Sequence, residues 1–136
     1  MKYVQLQPGE KLPDISGLNP FRSVVVIEEE ASPEWQSLVS AWLVKSGCLY
    51  MMAWGKNCSS WDDAVDLANL EEFDYGDIPE DKFVMTTWHD DEPLKEVFWF
   101  SKNSAFHPTI ELPNTLILHL AGIRKEKEFL SVYDSA

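Results

Sequence analysis

Apolar, strand-sized runs alternate along this sequence with segments whose apolar residues recur at helical spacing. The strand-like runs cover residues 21–28, 48–54, 83–88 and 115–121. The run at residues 48–54 is apolar without interruption, as expected of a strand covered on both faces, and the others are rich in β-branched or aromatic residues. The pattern therefore predicts four core strands.

The intervening segments carry the start and stop signals of helices. Ser32 and Pro33 suit the N-cap and the first helical position, and Gly47 suits the residue that ends the helix. A second helix is predicted to be capped by Ser59 or Ser60. The predicted helices cover residues 33–46, 60–73, 93–104 and 124–133. Strands that alternate with helices predict a three-layer α/β fold, flavodoxin- or Rossmann-like, with a mainly parallel four-stranded sheet between helices.

The chain is predicted to form one domain, because no repeat, low-complexity tract or long linker interrupts this alternation. Residues 1–20 contain three of the eight prolines, and we expect an irregular lead-in with a short edge strand at residues 3–6. Residues 21–136 are predicted to be a single α/β domain. At this length the apolar core needs no metal or disulfide support.

Negative charge is concentrated in one part of the chain. The formal net charge is −12, from 23 acidic and 11 basic residues. One segment holds twelve of the acids and a single base, Lys82. Its acids are Asp62, Asp63, Asp66, Glu71, Glu72, Asp74, Asp77, Glu80, Asp81, Asp90, Asp91 and Glu92. Such a surface repels phosphate backbones, which argues against nucleic-acid binding, and it allows a basic protein partner. The simpler interpretation is that the acids keep a tryptophan-rich protein soluble.

Cellular location follows from the cysteines and from the lack of targeting signals. Only Cys48 and Cys58 are present, which does not suggest a disulfide framework, and we expect both thiols to be reduced. The first residues lack the apolar core of a signal peptide, and no apolar run is long enough for a membrane helix. We therefore expect a cytoplasmic protein that contacts no membrane, and we expect no cofactor.

Polar side chains follow three of the predicted strands directly. Residues 28–30 are all glutamates, residues 55–60 include Lys56 and Cys58, and residues 89–92 are His-Asp-Asp-Glu. In open α/β sheets, ligands bind outside the carboxyl ends of the strands. These loops are thus the candidate functional site.

Two kinds of catalytic site are compatible with these loops. Cys58 precedes a helix, which favours a reactive thiolate, and His89 is a candidate base for it. A catalytic carboxylate, as in sugar-cleaving enzymes, is the other possibility, with Glu28 assisted by Asp62, Asp90 or His89. Against these hypotheses, a cysteine in such a position is more often a small loop residue, and Glu29 and Glu30 are compatible with solvated loop acids.

Metal binding is the less favoured interpretation of residues 89–92. Imidazole and carboxylate groups are suitable ligands for divalent cations, but consecutive residues rarely converge on one ion. Acids before Pro93 are instead expected at the start of a helix. We therefore predict no metal site. His119, between two leucines within a strand, is predicted to be a hydrogen-bonded core residue.

Two stretches resemble an uncharacterised family of small bacterial proteins, a domain of unknown function. They are YMMAWGKNCSSWDD at residues 50–63 and FVMTTWHDDEPLKEVFWF at residues 83–100. The resemblance covers most of residues 45–112 and implies no catalytic residue. It implies that the loops after the second and third predicted strands characterise the group.

Protein binding is the function that this sequence favours. No P-loop, dinucleotide-binding glycine pattern, nucleophile elbow or HExxH motif is present. We expect a small acidic cytosolic binding module, of immunity or accessory type, with Trp61 and Trp99 as aromatic anchors and Asp91 and Glu92 as acidic contacts. The alternative is a small hydrolase or sugar-transfer enzyme that uses the carboxylates and His89, so whether the chain is an enzyme stays open.

Overall fold

The computed structural model of the protein describes all residues from 1 to 136. Its strands are Lys2–Leu6 (β1), Phe21–Ile27 (β2), Cys48–Gly55 (β3), Met85–His89 (β4) and Asn114–Leu120 (β5). Its helices are Pro33–Ser46 (α1), Cys58–Glu72 (α2), Leu94–Asn103 (α3) and Glu126–Ser135 (α4). The predicted α/β class is confirmed. None of these helices has the length and apolarity that crossing a lipid bilayer requires.

All five strands form one parallel sheet in the order β1-β5-β2-β3-β4. The sequence predicted four strands. The fifth is β1, whose residues pair with β5 from Lys2 opposite Leu116 to Leu6 opposite Leu120. This strand order differs from the flavodoxin order 2-1-3-4-5. Without β1 it reads β4-β3-β2-β5, which matches the first four strands of the Rossmann order 3-2-1-4-5-6, but the N-terminal strand β1 takes the next place beside β5. The flavodoxin- or Rossmann-like part of the prediction is therefore not confirmed.

Two apolar cores lie on opposite faces of the sheet, because alternate residues of each strand point to opposite sides. On one face, Val25 and Met51 pack with Leu43 of α1 and Val65 of α2. On the other face, the neighbouring strand residues pack with α3 and α4, through Phe98 and Phe129 among others. Helices thus cover both sides of the sheet.

Helix ends show where local sequence signals decided the fold and where they did not. The Ser32 hydroxyl accepts a hydrogen bond from the Trp35 N–H (3.2 Å), and Gly47 ends α1 in the left-handed conformation, so α1 matches its prediction. Helix α2 begins at Cys58, and its N-cap is Asn57 with φ 53° rather than Ser59 or Ser60. The Ser60 hydroxyl instead donates to the Asn57 carbonyl (2.7 Å).

Candidate functional site at the carboxyl edge

One residue from each strand contributes to a row near the carboxyl edge of the sheet, on the face covered by α3 and α4, and most of these residues carry polar groups. Gln5 pairs with His119, His119 with Val26, Val26 with Trp54, and Trp54 with His89. Glu28 lies two residues beyond Val26 and points to the same face, because its carboxylate contacts His119. Glu28 and His89 therefore share one edge and one face, with β3 between the strands that carry them.

A buried histidine links three strands near this edge. His119 is fully buried, with its Nδ1 2.6 Å from the Tyr3 hydroxyl and its Nε2 2.9 Å from Glu28 Oε1. A carboxylate can only accept hydrogen bonds, so Nε2–H donates to Glu28, and in the neutral imidazole Nδ1 then accepts from the Tyr3 hydroxyl. The Tyr3 oxygen in turn accepts from the Lys125 N–H (2.9 Å). Burial raises the pKa of Tyr3, which keeps that hydroxyl protonated.

This network lies between β2 and β5, where the order of the strands in the sheet reverses. The segment after β2 forms α1 on one face, whereas the segment after β5 forms α4 on the other, and β2 and β5 are neighbours. Such a switch point is the usual ligand crevice of an open α/β sheet. Here it is occupied by the protein's own side chains, and Lys125 Nζ lies 3.9 Å from Glu28 Oε1.

His89 is held by a second set of contacts, two strands away from Glu28. Its Nε2 lies 2.9 Å from the Thr87 hydroxyl, and its Nδ1 bonds the Glu92 carboxylate. The imidazole packs edge-on against Phe100 of α3, with 5.2 Å between ring centroids. The Trp54 indole N–H donates to the Glu92 carbonyl (2.6 Å), which fixes the loop before α3 against β3.

Two open concavities flank the turn between β3 and α2. One, of about 490 Å³, is lined by Trp54, Gly55 and residues 89–93. The other, of about 550 Å³, is lined by Gln7, Pro8, Glu29, Glu30 and Lys56. The turn between them is tight, since the Lys56 N–H donates to the Ile27 carbonyl (2.9 Å). Exposed carboxylates thus lie on both sides of Lys56, the one lysine or arginine that lines either concavity.

The cysteine hypothesis does not agree with the structure. Cys58 is buried in the core beneath α1 and α2, whereas His89 packs under α3 on the opposite face of the sheet. The sheet therefore separates the thiol from the imidazole. Both cysteines are free and buried, and burial raises the pKa of Cys48 to about 11.

Trp61 also lies away from the site. It was predicted to anchor a partner, but it is almost completely buried in the same core as Cys58. The other predicted binding residues, Asp91, Glu92 and Trp99, are exposed in the loop before α3 and on α3 itself. Asp90 is exposed in the same loop.

Asp62 belongs to a separate acidic cluster between α2 and β4. The Asp66 carboxylate accepts a hydrogen bond from the Thr86 hydroxyl (2.7 Å), and Thr86 faces away from the side of β4 that carries Thr87 and His89. Burial, followed by the charge of Asp66 and a hydrogen bond to it, raises the pKa of Asp62 to about 6. Asp62 is therefore not placed to assist Glu28.

Replacing Asp62 with asparagine should stabilise the protein at neutral pH. With its pKa raised above the unfolded value of 3.8, the folded state binds more protons than the unfolded state between about pH 4 and pH 6. The cost of the charged carboxylate is therefore fully present above that window and disappears as the pH falls through it. We expect Asp62→Asn to raise the unfolding free energy by about 1 kcal/mol at pH 7.5.

Urea unfolding at several pH values measures this effect, with Asp63→Asn as the control because Asp63 is the exposed neighbour on α2. The gain from Asp62→Asn should shrink towards zero by pH 4.5. A gain that is the same at both pH values, or equal to that of Asp63→Asn, would contradict the raised pKa.

Sequence reasoning did not identify Tyr3 or Trp54 as parts of the site. Both contribute through contacts with residues far along the chain, since Tyr3 is 116 residues from His119 and Trp54 is 38 residues from Glu92. Strand periodicity was the one signal in the sequence that could have indicated Tyr3. Alternate residues of a strand share a face of the sheet, so the predicted edge strand places Tyr3 and Gln5 on the same face.

The comparison with known families covers more of the chain than the resemblance read from the sequence. The family model described as a domain of unknown function, DUF7684, matches residues 1–136. The chain belongs to this family. No curated protein and no solved structure gives a significant match. Membership therefore confirms the predicted resemblance and assigns no activity.

Proposed function

We propose that this DUF7684 protein is a binding module of the bacterial cytosol that recognises a basic protein. The surface that we assign to this role is the α3 face, defined here as the loop residues Asp90, Asp91 and Glu92 together with the exposed residues Glu96 and Trp99 of α3. Within this proposal, an immunity-type or accessory role stays a prediction.

The observation that carries the proposal is that exposed carboxylates and a half-exposed tryptophan occur together on the α3 face. The histidines, in contrast, are bonded within the protein. His119 bonds Tyr3 and Glu28, and His89 bonds Thr87 and Glu92. For His107, Nε2 bonds the Phe83 carbonyl (2.8 Å) and Nδ1 accepts from two backbone N–H groups. The carboxyl edge thus presents mainly carboxylates to solvent, which supports a contact surface for a cationic partner.

Charge on the α3 face suits a cationic partner. Four of its five residues are acidic, and the only lysine or arginine between residues 90 and 99 is Lys95. Unpaired surface charges of one sign accelerate the association with an oppositely charged protein, and salt weakens that effect. We therefore expect the association rate to fall steeply as ionic strength rises.

Trp99 is suited to supply affinity on this face. Half of its surface is exposed, although it lies on a helix whose neighbouring residues Val97 and Phe98 are fully buried. It lies five residues after Leu94, the start of α3, or about 7.5 Å along the helix, so one partner surface can contact the acidic loop and the indole together. Exposed tryptophans surrounded by polar residues are frequent hot spots of interfaces.

The hydrolase or sugar-transfer alternative has less support from the geometry. Asp62 lies on the opposite face from Glu28, and His89 is separated from Glu28 by the width of β3, about 10 Å between flanking strands. Glu28 itself is bonded to His119 and is close to Lys125, which favours a carboxylate engaged in structure. No group of three or more His, Cys, Asp or Glu residues is arranged to hold a metal ion.

Affinity capture with matched variants tests the proposal. The immobilised protein is exposed to lysate of the source cells, and retained proteins are quantified for wild type, Trp99→Ser, and the triple variant Asp90→Asn/Asp91→Asn/Glu96→Gln. We expect a basic protein that both variants lose by about tenfold or more, which corresponds to roughly 1.4 kcal/mol.

Two controls separate the α3 face from general stickiness and general charge. Trp88→Ser removes a tryptophan that is 49% exposed, against 50% for Trp99, from the side of β4 facing α2. Asp77→Asn/Glu80→Gln/Asp81→Asn removes three exposed acids from the loop before β4. Retention of the same protein by both controls supports the proposal. Equal loss in the controls and in the α3 variants would overturn it.

A further inference from the structure

A groove runs between the solvent-facing sides of α1 and α2, away from the α3 face. It has a volume of about 260 Å³, with Pro33, Gln36 and Ser37 on one wall and α2 residues from Ser60 to Glu71 on the other. The Gln36 side chain donates to the Ser60 hydroxyl (3.0 Å) at one end. Small side chains, Ser37, Ala64 and Ala68, line it and leave room above them.

The α2 wall of this groove presents an acid, a leucine and a second acid in a straight ridge. Asp63, Leu67 and Glu71 are each four residues apart and therefore lie on one side of the helix. Leu67 is 46% exposed, which leaves a large apolar side chain in solvent between two carboxylates. The ridge spans about 12 Å, or slightly more than two helical turns.

No lysine or arginine lines the groove, and the surrounding charge is strongly negative. From Cys58 to Lys82 the chain contains nine acids and one base, Lys82 itself. A partner that covers Leu67 must therefore bring apolar surface and positive charge together, at the spacing of the ridge.

We infer that the groove docks an amphipathic helix of a partner protein, with a central apolar side chain against Leu67 and a lysine or arginine about one turn away on each side, facing Asp63 and Glu71. A helix matches because its i, i+4 and i+8 positions repeat the spacing of the ridge. Burial of Leu67 supplies affinity, and the flanking ion pairs fix the register of the partner. This surface is separate from the α3 face, so a negative result for one proposal does not contradict the other.

An NMR titration with a designed peptide tests the inference. The probe is a lactam-bridged helical peptide of about 13 residues, long enough for the groove, with lysine, leucine and lysine at every fourth position. The control peptide has the same composition, with its leucine moved to the opposite side of the helix. Amide shifts of the ¹⁵N-labelled protein should concentrate at residues 33–37 and 60–71, and the control peptide should bind about tenfold more weakly.

Paired variants identify the groove as the source of binding. Leu67→Ser should weaken the probe by about tenfold, whereas Leu70→Ser should change its affinity by less than about twofold, because Leu70 is similarly exposed (40%) on the same helix but does not line the groove. Asp63→Asn/Glu71→Gln should weaken binding at low salt more than Asp77→Asn/Glu80→Gln. Thermal unfolding checks that all variants remain folded.

Three results would overturn the inference. The first is amide shifts spread over the whole acidic surface, the second is equal effects of Leu67→Ser and Leu70→Ser, and the third is equal affinities for the two peptides. Each would mean that the groove is not the source of the binding.

Discussion

Gly55→Ala is expected to lower the unfolding free energy by about 3 kcal/mol or more, although only one methyl group is added. Gly55 has φ 108°, a conformation that side chains disfavour, and a Cβ at this position would overlap the Ile27 carbonyl oxygen. That oxygen also accepts the hydrogen bond from the Lys56 N–H (2.9 Å). The strands β2 and β3 must therefore separate, which also disturbs the two concavities beside this turn.

Gly9→Ala is the matched control for this substitution. Gly9 has φ 94°, so alanine is strained there too, but a Cβ would have no neighbour within 4 Å. It should cost about 1 to 2 kcal/mol, the backbone penalty alone. Chemical denaturation of both variants measures the difference. Equal losses would show that the close approach of Gly55 to Ile27 has no energetic consequence.

Trp61→Ala should destabilise the protein by about 3 to 5 kcal/mol, a large part of the stability of a domain of this size. Its indole is 2% exposed and packs in the core beneath α1 and α2. Trp99→Ala, by contrast, should change stability by about 0.5 kcal/mol or less, because half of that side chain is already in solvent.

Urea unfolding of the two tryptophan variants at equal protein concentration compares them directly. A small loss for Trp61→Ala would return this residue to the list of surface anchors. A loss of several kcal/mol for Trp99→Ala would mean that Trp99 stabilises the fold. Any binding defect of that variant would then follow from unfolding, and Trp99 would no longer be assigned as a surface anchor.

Helices were easier to predict than the sheet because their signals are local. Ser32 and Gly47 directly flank the helix whose ends they mark, and α1 covers the predicted residues 33–46. Strand β1 forms by pairing with β5, more than a hundred residues away, and it confirms the short edge strand predicted at residues 3–6. The surrounding prolines and glycine indicated an irregular lead-in, so this strand was not counted among the strands of the sheet.

The start of α2 shows how an error of two residues in a predicted helix boundary changes a site prediction. The helix was predicted to start at residue 60, which left Cys58 in a loop and available to His89. It starts at Cys58, so Cys58, Trp61 and Val65 follow at i, i+3 and i+7 and point together into the core. The grouping of Glu28 with His89 at one edge required only the ends of the strands, and the structure places both there.

The buried network around His119 was only partly predictable. A histidine between two leucines indicated a hydrogen-bonded core residue, and that prediction is confirmed. Its partners could not be read from the sequence, because Tyr3 and Glu28 come from two other strands whose neighbours depend on strand order.

Amide hydrogen exchange on the complex with the captured partner tests the proposed binding function most directly. The protein is labelled with and without the basic partner, and protection is compared along the chain. The proposal predicts that new protection concentrates at residues 89–99, in the loop before α3 and the first turns of that helix, and that it weakens as salt is added. Protection confined to other surfaces, with residues 89–99 exchanging as in the free protein, would contradict it.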